Sequence, residues 1–318
     1  MDKTAEVPET LLEAITYFAD ADRCLSFLAD QRWPNGNVAC PQCGSTDVLF
    51  LSNQRRWKCR AQHPRAQFSI KVGTIFEDSP LPLTKWLPAL WMLVNDKNGI
   101  SSYEVARGLG VTQKTAWFMM HRLRLALERG SLTKLRGRVE ADETFIGGKV
   151  KNMHRAHKLR VMGSKRGGIH SKAIVMGMLE RGSGKVRTRV IENTEGPTLK
   201  GVLRENLDPS AEIITDSASG YRGLSGEFLH EFVNHMKEYV RGHVHTNGIE
   251  NFWSLLKRGI KGTYVNVEPF HLHRYVEEQA FRFNSRKRTD AGRFVEALRE
   301  IVGRRLTYKG LTHATATT

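Results

Sequence analysis

The stretch Arg138-Val-Glu-Ala-Asp-Glu-Thr-Phe-Ile146 decides how the chain is read. Before it, apolar residues recur at helical spacing. Within it they alternate, with Val139, Ala141 and Phe145 on one face and Glu140, Asp142 and Thr144 on the other. A period of two belongs to a strand. The pattern continues downstream: Ala173 to Leu179 is apolar and β-prone, Val186 to Ile191 alternates, Leu199 to Leu207 reads as a short helix, and Ile213-Ile214-Thr215 leads into Asp216. Helices are expected from Asn247 to Ile260 and from Leu272 to Phe283. Three strands, a helix, a strand and then helices predict an α/β domain with a mixed sheet.

Three acidic residues stand out in this frame. Asp142 lies within the first strand, Asp216 ends an apolar run, and Glu250 opens the helix Asn247-Gly-Ile-Glu-Asn-Phe-Trp-Ser-Leu-Leu-Lys257. A carboxylate at the end of an apolar strand is costly unless paired, so each calls for a cation. Two on adjacent parallel strands, with a third from a helix, would surround two divalent ions ~3.5–4 Å apart. Hard oxygen ligands suit Mg²⁺ or Mn²⁺. Glu250, Ser254 and Lys257 share one helical stripe, beside an apolar stripe of Ile249, Phe252, Trp253 and Leu256. Packing the apolar stripe on the sheet turns Glu250 and Lys257 towards one cleft, where Lys257 can meet a phosphate. Plainer roles stay open: Asp216 as a helix cap, Glu250 as capping-box partner of Asn247, and Asp142 as a solvated strand residue.

Upstream, residues 9 to 32 predict two short helices, the first with the stripe Leu11, Leu12, Ile15 and Phe18, and the second with Cys24 as a core residue. Cys40 and Cys43 are then separated by two residues, and Cys59 and His63 by three, with 15 residues between the pairs. Two such pairs close a tetrahedral site for one structural Zn²⁺, with no open position for catalysis. Pro41 and Gly44 favour the tight turn that aims the first pair of sulfurs inward. From Leu83 to Leu127 the pattern is helical. Thr84 is expected to cap a helix containing Pro88, Ser101 and Glu104 form a capping box, and Thr112 caps a third helix after a turn at Gly110. The last two helices read as a helix-turn-helix, with Lys114 and Arg122 as candidate DNA contacts.

The chain of 318 residues is long enough for two or three domains, with 40% apolar residues, a net charge of +16 and a pI of about 9.9. That balance predicts attraction to polyanions, nucleic acid above all. The opening residues MDKTAEVPETLLEA are acidic and polar, unlike a signal peptide, and no apolar run is long enough to span a membrane. A cytoplasmic, nucleoid-associated protein is expected.

Several blocks occur in order: Cys40-Pro-Gln-Cys-Gly44, Phe68-Ser-Ile-Lys-Val-Gly-Thr-Ile-Phe-Glu77, Pro82-Leu-Thr-Lys-Trp86, Ala141-Asp-Glu-Thr-Phe-Ile-Gly-Gly-Lys149, Thr215-Asp216 and His245-Thr-Asn-Gly-Ile-Glu-Asn-Phe-Trp-Ser-Leu-Leu-Lys-Arg-Gly259. Together they resemble the zinc-ribbon insertion-sequence transposases of bacteria, the ISXO-type group of DDE enzymes. The resemblance covers roughly residues 20 to 290. It implies a ribonuclease-H-like mixed-sheet catalytic domain preceded by a zinc ribbon and a helix-turn-helix-like module. It also implies that Asp142 and Asp216 are the two aspartates, that Glu250 is the third acidic residue, and that Lys257 follows seven positions on. Some relatives use Asn at the third position, which keeps Asn247 and Asn251 in view. His63 stands where many relatives have a fourth cysteine.

The resulting organisation is a helical segment over 1–36, a zinc ribbon over 37–78, a helix-turn-helix-like module over 79–135, a catalytic domain over 136–288 and a basic C-terminal helix and tail over 289–318. Between 149 and 172 stand Lys149, Lys151, Arg155, Lys158, Arg160, Lys165, Arg166 and Lys172, with no acidic residue among them. Such a one-sided run is expected to grip the DNA backbone beside the active site. A second cluster, Arg282, Arg286, Lys287 and Arg288, either tracks phosphates or caps a helix end. The expected activity is metal-dependent cleavage and joining of double-stranded DNA at terminal inverted repeats and at a target, by a homodimer or larger assembly. A nuclease or resolvase on the same fold, and a DNA-binding regulator with a dead catalytic domain, are the competing readings.

Overall fold

The computed structural model describes residues 7–128, 133–147, 172–216, 219–233 and 245–312. The chain forms two compact units, Met1–Glu128 with Ser285–Thr318, and Arg129–Asn284. Among the described residues no helix is long and apolar enough to cross a membrane.

In the first unit, α1 (Leu11–Tyr17) opens on a capping box of Thr10 and Glu13, and α2 (Ala21–Arg32) on Asp20. Both predicted helices form, but the buried stripe of α1 differs from the expected one. Ala14 and Phe18 are buried, while Leu11, Leu12 and Ile15 are exposed, because the aromatic core is reached only by the side carrying Phe18. Cys24 is fully buried, and burial pushes its thiol up to about 12, as befits a packed, inert cysteine. Strands β1 (Val48–Leu51), β2 (Arg56–Cys59) and β3 (Gln67–Phe68) form a small antiparallel sheet. Trp57 anchors it against Trp33, Phe50 and Phe68, at centroid distances of 5.6, 5.1 and 5.9 Å.

Helix α3 (Leu83–Asn95) begins with Pro82 in the cap position, so Thr84 is not the cap it was expected to be. The capping box of Ser101 and Glu104 starts α4 (Ser102–Leu109), Gly110 turns the chain in the left-handed region, and Thr112 caps α5 (Gln113–Leu127), all as expected. The C-terminal helices α9 (Asp290–Arg299) and α10 (Tyr308–Thr312) belong to this unit. Phe294 of α9 closes the aromatic core, 5.5, 6.0 and 5.1 Å from Phe18, Phe27 and Trp91. Backbone bonds from Ile75 to Ile301 and from Gly303 to Gly73 stitch the segment in place.

The second unit is a mixed α/β domain. Its sheet runs in the order β6 (Lys185–Ile191), β5 (Ala173–Glu180), β4 (Arg138–Ile146), β7 (Glu212–Asp216), β8 (Leu229–Val233). The pairs among β4, β5 and β6 are antiparallel, and β4, β7 and β8 run parallel. Strand β8 is an addition to the strands that the sequence pattern predicts. Helix α6 (Gly196–Asn206) packs on one face through Leu199, Val202 and Leu203. Helices α7 (Asn247–Gly259) and α8 (Leu272–Asn284) cover the other through Ile249, Phe252, Trp253, Leu256 and Tyr275. With both faces covered, polar positions in the middle of β4 are not solvated: Glu140 and Thr144 are buried, whereas Phe145 is exposed.

Candidate active site and metal centre

The metal centre is built on two turns of the first unit. Gly44 N–H donates to Cys40 O at 2.8 Å, closing the turn that turns Cys40 and Cys43 to one side. Cys59 ends β2, its backbone N–H bonded to Ala66 at 2.8 Å. The ligand atoms of Cys40, Cys43, Cys59 and His63 all lie within 4.8 Å of one another. Cys43 Sγ is 3.7 Å from Cys59 Sγ, and Cys40 Sγ is 3.5 Å from His63 Nε2. A tetrahedron with Zn–S near ~2.3 Å and Zn–N near ~2.0 Å has edges of about 3.8 and 3.5 Å, so the cluster fits a structural zinc. His63 Nδ1 lies 2.8 Å from Pro64 O. Donation to that carbonyl fixes the tautomer that leaves Nε2 for the metal. Burial opposes ionisation of Cys40, but the N–H groups of Cys43 and Gln42 and the two neighbouring thiols outweigh it, bringing the thiol down to about 7. Thiolate is the form that binds.

The carboxylates meet in the second unit. Asp142 lies on β4 and Asp216 ends β7, a parallel neighbour. Their pairing stops at Glu140 opposite Ile214, and the same offset carries Asp142 opposite Asp216. Carboxyl ends of parallel strands are where an open α/β sheet offers its crevice. Glu250 comes from the first turn of α7. Asp142, Asp216, Glu250, Ser254 and Lys257 line one cleft of about 370 Å³, together with Glu143, Thr144, Thr246 and Trp253. Asn247 and Asn251 do not line it. The apolar stripe of α7 is buried as expected, which is what turns Glu250 and Lys257 to the same side.

Each carboxylate has its own setting. Trp253 Nε1 donates to Asp142 Oδ2 at 2.9 Å. Burial raises Asp142 to about 6 despite that bond, and the charges of Asp216 and Glu250 push the same way. Thr246, the residue before α7, donates its hydroxyl to Glu250 Oε1 at 2.8 Å, so Glu250 pairs with Thr246 and not with Asn247. Tyr221 donates its hydroxyl to Glu143, and burial raises Glu143 to about 7 despite that bond, with the charges of Asp142 and Asp216 pushing the same way. Among the described residues the cysteine–histidine set is the one group of three or more such side chains whose ligand atoms lie close enough together to hold an ion as they stand. An acidic, oxygen-only, partly buried cleft suits a hard divalent cation.

Glu143, Thr144, Thr246 and Trp253 are cleft residues that the sequence reading did not assign. Trp253 was readable only as part of an apolar stripe; its indole N–H finds Asp142 because α7 crosses the sheet there. Arg122, expected on DNA, is buried. Its guanidinium lies over the rings of Trp86 and Phe118 and donates to Glu77 O at 2.5 Å. Lys114 is exposed on the first turn of α5, with its ammonium 5.1 Å from the Tyr308 ring. Arg282 is also buried, paired with Glu278 and Gln279, so it offers no charge to a phosphate track. Lys149, Lys151, Arg155, Lys158, Arg160, Lys165 and Arg166 lie outside the described residues.

Similarity to known proteins agrees with this architecture. Residues 134–284 match the ISXO2-like transposase domain, and residues 19–61 the transposase zinc-ribbon domain. An uncharacterized protein in transposable element ISH50 of Halobacterium salinarum is 29% identical over 254 residues, spanning 77% of this chain and 84% of that protein. An uncharacterized transposase-like protein of Haemophilus influenzae is 33% identical over 102 residues, spanning 32% of this chain and 82% of its own length. A chain of the simian T-cell lymphotropic virus intasome in complex with PP2A regulatory subunit B56 gamma matches at 14% identity over 59% of this chain and 66% of that one, with a TM-score of 0.29, too slight to carry an argument. With its cysteine–histidine cluster, its mixed α/β domain and these matches, the chain belongs to the ISXO2-like family of zinc-ribbon DDE transposases.

Proposed function

We propose that the protein cuts and joins DNA at the ends of an insertion sequence, using two Mg²⁺ or Mn²⁺ ions held by Asp142, Asp216 and Glu250 on a ribonuclease-H-like domain. The observation that carries the reading is the cleft in which these three carboxylates and Lys257 meet from β4, β7 and α7. The ribonuclease-H-like reading is supported by the strand order, three antiparallel strands continued by two parallel ones, with helices on both faces.

Bound in the cleft, the ions supply Lewis-acid activation of a water or 3′-hydroxyl and charge stabilisation of the leaving 3′-oxygen. The protein's own groups prepare the rest. Trp253 holds one oxygen of Asp142 and Thr246 one oxygen of Glu250, which limits the rotamers that each carboxylate samples. Lys257 lines the same cleft and offers an ammonium to a phosphate oxygen. The zinc cluster lies in the other unit and holds the ribbon in shape. Double-stranded DNA is the partner, contacted by Lys114 at the helix-turn-helix and by the basic run 149–172, and two ends are paired by a dimer or a larger assembly in the cytoplasm.

The test is strand transfer with purified protein, labelled linear DNA carrying the element's ends, and Mg²⁺. Joined products are expected, lost in Asp142→Ala, Asp216→Ala and Glu250→Ala and kept in Asn247→Ala and Asn251→Ala. Cutting without joining would make the protein a nuclease, and binding without turnover a regulator. Either result overturns the proposal.

A further inference from the structure

Helix α7 carries Glu250, Trp253 and Lys257, and its first turn lacks the usual cap. Thr246, in the cap position, makes no side-chain bond to the helix backbone, because its hydroxyl is used on Glu250. The exposed N–H groups of a first helical turn need acceptors. One acceptor arrives from the sheet: Glu140 Oε2 accepts the Ile249 N–H at 2.9 Å. Glu140 is two residues before Asp142 on β4, with a side chain only 2% exposed. Its other oxygen accepts from Arg181 Nε at 2.7 Å, and Arg181 donates onward to His245 O at 2.5 Å. Arg181 follows β5, and its backbone N–H is bonded to Arg138 O at 2.9 Å.

The approach is close enough to restrict the sequence. A Cβ on Gly248 would stand 2.8 Å from Glu140 Oε2, 3.2 Å from Oε1 and 3.2 Å from Leu179 Cδ2. Glu140 makes the shortest of these contacts, at a position where glycine would otherwise only weaken the helix. A buried, charged acceptor bonded to a helix N-terminus is also favoured by the helix dipole.

We infer that Glu140, braced by Arg181, is a positioning residue: it clamps the N-terminus of α7 to the strand that carries Asp142 and so sets where Glu250 and Lys257 stand relative to Asp142. The clamp joins two of the three proposed metal-binding carboxylates through one strand–helix bond. Its consequence for catalysis rests on the proposed function; the clamp itself does not.

The experiment uses the full chain and the variants Glu140→Gln, Glu140→Ala, Gly248→Ala and Glu140→Ala/Gly248→Ala, with Leu203→Ala on the opposite face of the sheet as a stability control. Without metal, amide hydrogen exchange at Ile249 is expected to speed up about tenfold or more in Glu140→Gln and Gly248→Ala but not in Leu203→Ala. The Trp253 indole N–H resonance, identified by Trp253→Phe, should shift in the same two variants. Gly248→Ala should destabilise the native chain clearly more than it does once Glu140 is alanine, when only Leu179 Cδ2 is left to give way. With Mg²⁺ and saturating DNA, single-turnover cleavage should fall about tenfold or more in Glu140→Gln while DNA affinity stays within about twofold. Unchanged Ile249 exchange, or a Gly248→Ala effect that is the same with and without Glu140, overturns the clamp. Cleavage no slower than in Leu203→Ala overturns its positioning role. If the unmodified protein does not cleave DNA, the proposed function fails, and the exchange, indole and stability measurements still decide on the clamp.

Discussion

Replacing Gly177 by alanine tests how the cleft is built. Gly177 lies on β5 directly opposite Asp142. A Cβ there would stand 2.6 and 2.7 Å from Trp253 Cη2 and Cζ2, and 2.8 Å from Ile249 Cδ1. All three distances are below any real contact, and each neighbour is a buried side chain of α7. Overpacking of this kind costs about 1–3 kcal/mol. Relief of a glycine within a strand returns about 0.5–1 kcal/mol. If the ring moves far enough to release Asp142, the lost bond adds about 1–2 kcal/mol. The net destabilisation is about 2 kcal/mol, which lowers the melting temperature of a unit this size by roughly 4–8 °C. Thermal unfolding of Gly177→Ala measures it, and a Trp253→Leu background should relieve at least about 1 kcal/mol by removing the ring. An unchanged or raised melting temperature, which strand propensity alone would produce, would mean that Trp253 and Ile249 do not close over this position.

Chelation, or Cys59→Ala, should release one zinc per chain and unfold the ribbon, seen as loss of the near-ultraviolet signal of Trp57 and Trp33, which pack together there. Burial, helped by Arg274 and His271, lowers His273 from 6.5 to about 4. The unfolded chain therefore binds the extra proton first, and stability falls as pH drops from about 6.5 to 4, by about 1–2 kcal/mol once solvent screening of this partly exposed ring is allowed for. Denaturant unfolding at several pH values should show that slope reduced in His273→Gln. Arg122→Ala should destabilise the first unit by about 2 kcal/mol through lost packing on Trp86 and Phe118, without altering the salt dependence of DNA binding. Lys114→Ala should leave stability unchanged and reduce the salt slope by about 1.

Much of the fold was legible because it is written locally. Thr112 and the Ser101–Glu104 box announce their helices by side chains that bond their own backbone. The strand alternation from Arg138 and the apolar run before Asp216 marked β4 and β7 within a residue or two. Failures came where a neighbour distant in sequence decides. Thr84 resembled a cap, but Pro82 occupies that position. Leu11, Leu12 and Ile15 resembled a buried stripe, but the core of the first unit is closed from the other side by Phe294, which lies near the far end of the chain.

The metal cluster could be read from ligands at fixed spacings on two turns, and the carboxylates from their order along the chain. Local backbone geometry is enough for both. The burial of Arg122 and Arg282, the path of Trp253 across Gly177 to Asp142 and the hold of Glu140 on the first turn of α7 come instead from long-range packing. The physical reason is that a residue's period places it on a face, whereas what covers that face, and so whether a charge meets water, a ring or a backbone N–H, depends on elements folded against it from elsewhere in the chain.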